Sequence, residues 1–171
     1  MKKYLILLTA FLTIAVAQTQ AQQTAANDPL LIPYRKGDKW GFCTKDKKIV
    51  IPCTYDDARR FYDGLAWVRK KDETTGENEC GYINKKGEII IPCKYNRVWD
   101  FSDGLAKVEL NSKYGFVDKL GKEVVACKYD DAWLFFEGLA KVEINSKWGY
   151  IDKTGKEIIP CVYDKLWRDK N

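Results

Sequence analysis

From Leu31 onward, apolar and polar residues alternate in short bursts separated by turn-forming triplets. Leu139 opens the segment Leu-Ala-Lys-Val-Glu-Ile, and Val142 and Ile144 fall on one face, the period-2 signature of a half-buried strand. Asn145-Ser146-Lys147 supplies a turn, and Trp148-Gly149-Tyr150-Ile151-Asp152 reads as a second strand. Lys153-Thr154-Gly155 is a tight hairpin turn whose glycine offers the left-handed conformation that closes such loops. Lys156-Glu157-Ile158-Ile159 returns as a third strand, and Pro160, with no amide hydrogen to give a ladder, is expected to stop it. The connector before this unit reads as a polar turn at Tyr129-Asp130-Asp131-Ala132. Phe135-Phe136-Glu137-Gly138 then redirects the chain.

The whole pattern recurs. Trp40-Gly41, Cys80-Gly81, Tyr114-Gly115 and Trp148-Gly149 are 40, 34 and 34 residues apart, which frames four units at 31–64, 65–104, 105–138 and 139–171. A fixed period in this range marks units that bury their apolar faces only by stacking on one another. The expected fold is all-β: a tandem array of four three-stranded antiparallel meanders in an open superhelical or solenoid-like stack. Tyr55, Tyr95, Tyr129 and Tyr163, with Phe61, Phe101 and Phe135, are assigned to packing between repeats. Gly41, Gly81, Gly115 and Gly149 carry no side chain, so a neighbouring ring or backbone can approach closely; with Trp40 and Trp148 they are structural. Lys47 replaces the turn glycine in the first unit, at a cost of about 1 kcal/mol if the geometry is kept.

Trp-Gly and an aliphatic strand, an Asp-Lys-x-Gly-Lys turn, Ile-Ile-Pro, Tyr-Asp-Asp, Phe-x-x-Gly and Leu-Ala-x-Val together closely resemble the WG repeat of bacterial proteins. The likeness covers residues 31–171, with Cys80, Tyr114 and Ala126 as departures. It implies an exported or surface-associated β-repeat module and brings no catalytic residues.

Residues 1–21 are of another kind. Lys2-Lys3, the apolar run Tyr4 to Ala17 and small residues ending at Ala17 or Ala21 read as a cleaved signal peptide, too short for the ~20 residues of a membrane helix. Residues 22–30 then form a short tether. The mature chain is expected to be exported to the periplasm, the cell surface or the medium, without a transmembrane segment. Loss of Lys2 and Lys3 lowers the formal charge from +5 to +3, and the lysines that remain are interleaved with acids. Such a surface is not the basic stripe that nucleic acid requires.

Cys53, Cys93, Cys127 and Cys161 recur at one position, while Cys43 and Cys80 are extra. Three readings stand: a column of buried, hydrophobe-like thiols, a disulfide between Cys43 and Cys80, or a metal site. The last lacks both Cys-x-x-Cys spacing and any histidine. No cofactor is expected.

The absence of histidine also removes the commonest general base, and the paired acids recur as turn formers, so an enzyme is not expected. Candidate ligand contacts lie in the connectors, where Trp99, Trp133 and Trp167 share a column with Arg59, and at Trp67, which takes a place held by Lys107 and Lys141. Exposed, these indoles would stack on sugar rings or on a partner's apolar side chains; buried, each would cover the edge of the next repeat. The sequence therefore points to a non-enzymatic interaction scaffold for a protein or envelope partner. The alternative is a glycan-binding module built on the tryptophan column.

Overall fold

Alternation and turn chemistry together produce fifteen strands and no helix in the described region of the computed structural model, which covers residues 29–164. The expected signal peptide, most of the tether and Trp167 lie outside the described residues. The first sheet is β1 (Ile32–Lys36), β2 (Lys39–Cys43) and β3 (Ile49–Tyr55). The second is β4 (Asp57–Ala58), β5 (Leu65–Lys71), β6 (Asn78–Asn84) and β7 (Ile89–Tyr95). The third comprises β8 (Arg97–Ser102), β9 (Leu105–Leu110), β10 (Lys113–Asp118) and β11 (Glu123–Tyr129). The fourth comprises β12 (Asp131–Ala132), β13 (Leu139–Ile144), β14 (Lys147–Asp152) and β15 (Glu157–Tyr163). All pairings are antiparallel.

Two expectations are corrected. The connector is not a plain polar turn: it contributes β4, β8 and β12, each of which pairs with the Leu-Ala strand that follows. Frames drawn at Leu65, Leu105 and Leu139 therefore cut each four-stranded sheet after its first strand. The hinge is a two-residue hairpin with both central residues at positive φ, as at Glu137-Gly138 (51° and 82°), between Phe136 and Leu139, which exchange backbone hydrogen bonds. Proline does not stop the third strand either. Strands β3, β7 and β15 run through Pro52, Pro92 and Pro160.

A bulge makes this possible. Trp40 faces Tyr55 and Phe42 faces Ile51, so Pro52, Cys53 and Thr54 all bow out opposite Gly41, and the same register shift recurs in each sheet. Proline thus sits where no ladder hydrogen bond is required. The bowed backbone occupies the space of the glycine's missing side chain. A Cβ on Gly115 would stand 2.5 Å from the Val125 carbonyl oxygen and 2.7 Å from the Cys127 nitrogen. Of the two approaches the Trp-Gly pair permits, backbone is the one used.

The core lies between sheets rather than within them. Phe42, Ile51 and Tyr55 of the first sheet cluster with Ala66, Val68 and Ile83 of the second. Tyr82, Ile91 and Tyr95 meet Ala106, Val108 and Val117; Phe116, Val125 and Tyr129 meet Ala140, Val142 and Ile151. Aromatic pairs at 4.7–5.3 Å (Phe42–Phe61, Tyr82–Phe101, Phe116–Phe135) lock each connector onto its own repeat. Tyr55, Tyr95 and Tyr129 are buried as expected, but Tyr163 is 47% exposed, for no further sheet follows it among the described residues.

Hairpin turns staple successive sheets. Gly87, Gly121 and Gly155, at φ near +82°, pack on Ile51, on Ile90 and on Val125 of the preceding repeat. Lys47, at φ +62°, takes this place in the first repeat and is exposed. The turn lysines Lys119 and Lys153 reach back to the Asp63 carboxylate and the Asp103 carbonyl oxygen.

Candidate functional site

Three positions per repeat converge on one face. The connector residue bonds by its backbone to the third residue of the Leu-Ala strand, as Arg59 N–H to Trp67 (3.0 Å) and Trp133 N–H to Lys141 (2.9 Å). The residue preceding the Trp-Gly glycine lies diagonally across the next strand pair, because Arg69 faces Cys80 and Glu109 faces Tyr114. The side chains at these three positions therefore stack.

In the third sheet the Lys107 ammonium lies 4.1 Å from the Trp99 ring centre and 5.1 Å from that of Tyr114, and donates to the Ala132 carbonyl oxygen at 2.8 Å. Burial pulls the Lys107 pKa below its usual value, against the pull of Asp131 and Glu109. The fourth sheet repeats the arrangement, with Lys141 only 4% exposed between Trp133 (5.0 Å) and Trp148 (4.3 Å). Cation–π attraction of this kind contributes roughly 0.5–2 kcal/mol per contact. The indoles of this column are thus already engaged by cations of their own chain.

The second sheet inverts the pattern. Trp67 stands where lysine is expected, Arg59 lies 4.9 Å above its ring, and Cys80 replaces the outer aromatic. With no ring at position 80, a groove of about 470 Å³ opens between the second and third sheets, lined by Arg59, Trp67, Arg69, Cys80, Arg97 and Trp99. Asn78, Asn96, Asp57 and Asp100 add amides and carboxylates. Arg69 pairs with Asp57 at 3.5 Å, and Arg97 lies 3.8 Å from Glu109. Two buried donors in the groove have no hydrogen-bond partner: the Trp67 indole N–H and the Arg69 Nε–H. Trp67 is only 8% exposed.

The structure therefore brings Arg59, Trp67 and Trp99 together and sets Trp133 apart. Trp133, 45% exposed, lines a separate cleft of about 290 Å³ with Leu134, Phe136, Leu139 and Tyr150. The continuous indole stripe envisaged from sequence is replaced, among the described residues, by two unlike sites. Arg69 and Arg97 were not foreseen in this role, although both hold columns occupied by acids elsewhere (Glu109 and Glu143; Asp57 and Asp131).

All six thiols are free; Cys43 ends β2 in the first sheet, while Cys80 begins the Cys-Gly pair of β6 in the second and lies 3.7 Å from the Asn96 carbonyl oxygen. The recurrent column is half-buried rather than sealed, with Cys53 and Cys161 directed at the Tyr34 and Val142 carbonyls. Burial pushes the Cys80 and Cys127 thiols up to about 11, which makes them poor nucleophiles. Among the described residues, no cluster of three metal-ligating side chains is present and no helix is long and apolar enough to cross a membrane.

No curated protein and no solved structure matches the chain. The pattern of the WG containing repeat matches four times, at residues 40–73, 81–114, 114–148 and 148–171. These matches start at the Trp-Gly step, out of phase with the sheets, as a repeated sequence allows. Together they span well over half of the chain, which therefore belongs to the WG-repeat family.

Proposed function

We propose that this protein is an exported, non-enzymatic binding scaffold that engages its partner through the groove between its second and third sheets. One observation carries the reading. Unlike the third and fourth sheets, the second breaks the stacked aromatic–cation–aromatic triad, and unpaired donors line the opening beside it. A fold needing only packing would fill that position, as Tyr114 and Trp148 do. The exported character rests on the signal-peptide pattern of residues 1–21.

The test is retention of envelope material, protein or polysaccharide, on the immobilised protein. Cys80→Tyr restores the outer ring and closes the groove; Cys127→Ser alters a thiol elsewhere. The scaffold reading expects material retained by the wild type and by Cys127→Ser but lost with Cys80→Tyr. Equal retention by all three sinks it.

A further inference from the structure

We infer that the groove binds an acidic saccharide, a pyranose bearing a carboxylate, with its ring in the slot left vacant at Cys80. This rests on the groove being the binding site. The shape comes from the neighbouring repeats, where the corresponding space holds the six-membered ring of Tyr114 or the indole of Trp148. The groove that Cys80 and Trp67 line, about 470 Å³, has room for a ring of that size.

The chemistry comes from the donors. On the residues lining the groove the buried, unpartnered groups are the Trp67 indole N–H and the Arg69 Nε–H, both donors; the buried Glu109 oxygen that also lacks a hydrogen bond lies 3.8 Å from Arg97. The Arg59 guanidinium, on the rim, has only the Trp67 ring as a partner among the described residues. These groups call for an acceptor, and an arginine fork is matched by a carboxylate. Opposite them, Asn78, Asn96 and Asp100 mix donors and acceptors, as ring hydroxyls require. The C–H face of a pyranose then lies along indole, which has both an apolar surface and a polar edge. A poly-acidic peptide would satisfy the arginines but offers neither a C–H ring face for the indole nor hydroxyls for Asn78 and Asn96.

Titration of the full chain with tri-galacturonate, followed by tryptophan fluorescence and by calorimetry, tests this. Saturable binding is expected, at least tenfold tighter than for the neutral cellotriose, weakening as salt is raised. Cys80→Tyr, which fills the slot, should weaken it at least tenfold without lowering the melting temperature; Trp67→Lys should weaken it as much but also lower the melting temperature, since Trp67 is part of the buried core. Arg69→Gln should abolish the preference for the acidic sugar and spare any residual neutral binding, an outcome that mere unfolding cannot imitate. Equal affinity for cellotriose overturns the carboxylate assignment. Binding of hexaglutamate in place of either sugar overturns the saccharide class while leaving the groove as the site. If no probe binds and envelope retention still depends on Cys80, the saccharide inference falls and the scaffold reading stands; if retention is also insensitive, both fall.

Discussion

Replacing Gly115 by alanine separates steric exclusion from backbone conformation, because Gly115 is not among the glycines at positive φ. The new Cβ would meet the Val125 oxygen at 2.5 Å, the Cys127 nitrogen at 2.7 Å and the Ala126 carbon at 2.8 Å. Ordinary contact begins near 3.4 Å, so β11 must retreat by about 0.9 Å. All three obstacles are backbone and cannot rotate away. Retreat strains the pairings on either side, Tyr114 with Tyr129 and Phe116 with Val125. Overpacking costs roughly 1–3 kcal/mol, and each weakened ladder bond about 1 kcal/mol more. The lower entropy of the unfolded alanine chain returns about 0.4–1 kcal/mol, leaving a net loss of about 3 kcal/mol. Gly104→Ala is the comparator: φ is +84° and nothing lies within 4 Å, so only left-handed strain applies, for a net loss of about 1 kcal/mol. With a urea dependence of about 1.5 kcal/mol per molar, the midpoints should fall by about 2 M and about 0.7 M. A Gly115→Ala midpoint no lower than that of Gly104→Ala would refute the claim that backbone crowding is what keeps glycine after the aromatic.

Lys47→Gly should raise stability by about 0.5–1 kcal/mol in the same assay, since it relieves a positive φ where, among the described residues, no earlier sheet packs; a loss would mean that Lys47 makes a contact which offsets its strain. Lys107→Met should cost about 1–2 kcal/mol, as the Ala132 carbonyl loses its charged donor and two rings lose their cation, whereas Arg59→Ala, on the rim, should stay within about 0.5 kcal/mol. A Lys107→Met midpoint equal to the wild type would show that the ammonium's desolvation cancels those contacts. For alkaline pH the sign follows from the raised thiols: Cys80 and Cys127 contribute fully below the free-thiol value of 9.0 and lose that contribution as pH climbs through about 11. Thermal midpoints should therefore fall between pH 9 and 11, less steeply in a Cys80→Ala, Cys127→Ala double variant; parallel curves would deny the shifts.

The strands of each meander were legible because period-2 alternation and turn triplets are local. Lys153-Thr154-Gly155 needs no partner to be recognised, and Gly155 adopts φ +82° there. The role of Pro52 was not legible, since a bulge is a relation between strands: Pro52-Cys53-Thr54 bows out only because Gly41, on another strand, leaves the space. Strand β12 was missed because Asp131-Ala132 is too short to alternate, and its partners, Glu143 and Val142, belong to the next repeat. At the site, Trp67 and the connector tryptophans stood out as departures from the pattern. Their division between two clefts did not, because it turns on a side chain that is missing at Cys80, and absence of volume leaves no periodic trace. The exchange of acid for arginine at positions 69 and 97 was present in the aligned columns, and only the fold shows the two arginines facing one opening.

The strand that each connector passes forward has a consequence for where the chain can be divided. A break after Ser102 or Gly104 separates β8 from β9 and leaves an unpaired edge on the third sheet. A break at Asn96 or Asp130 falls between sheets, and every ladder stays within one fragment. Two pieces cut at Asn96 would each keep complete sheets and present to one another only the side-chain face that joins the second sheet to the third, so their reassociation would report the strength of that single junction.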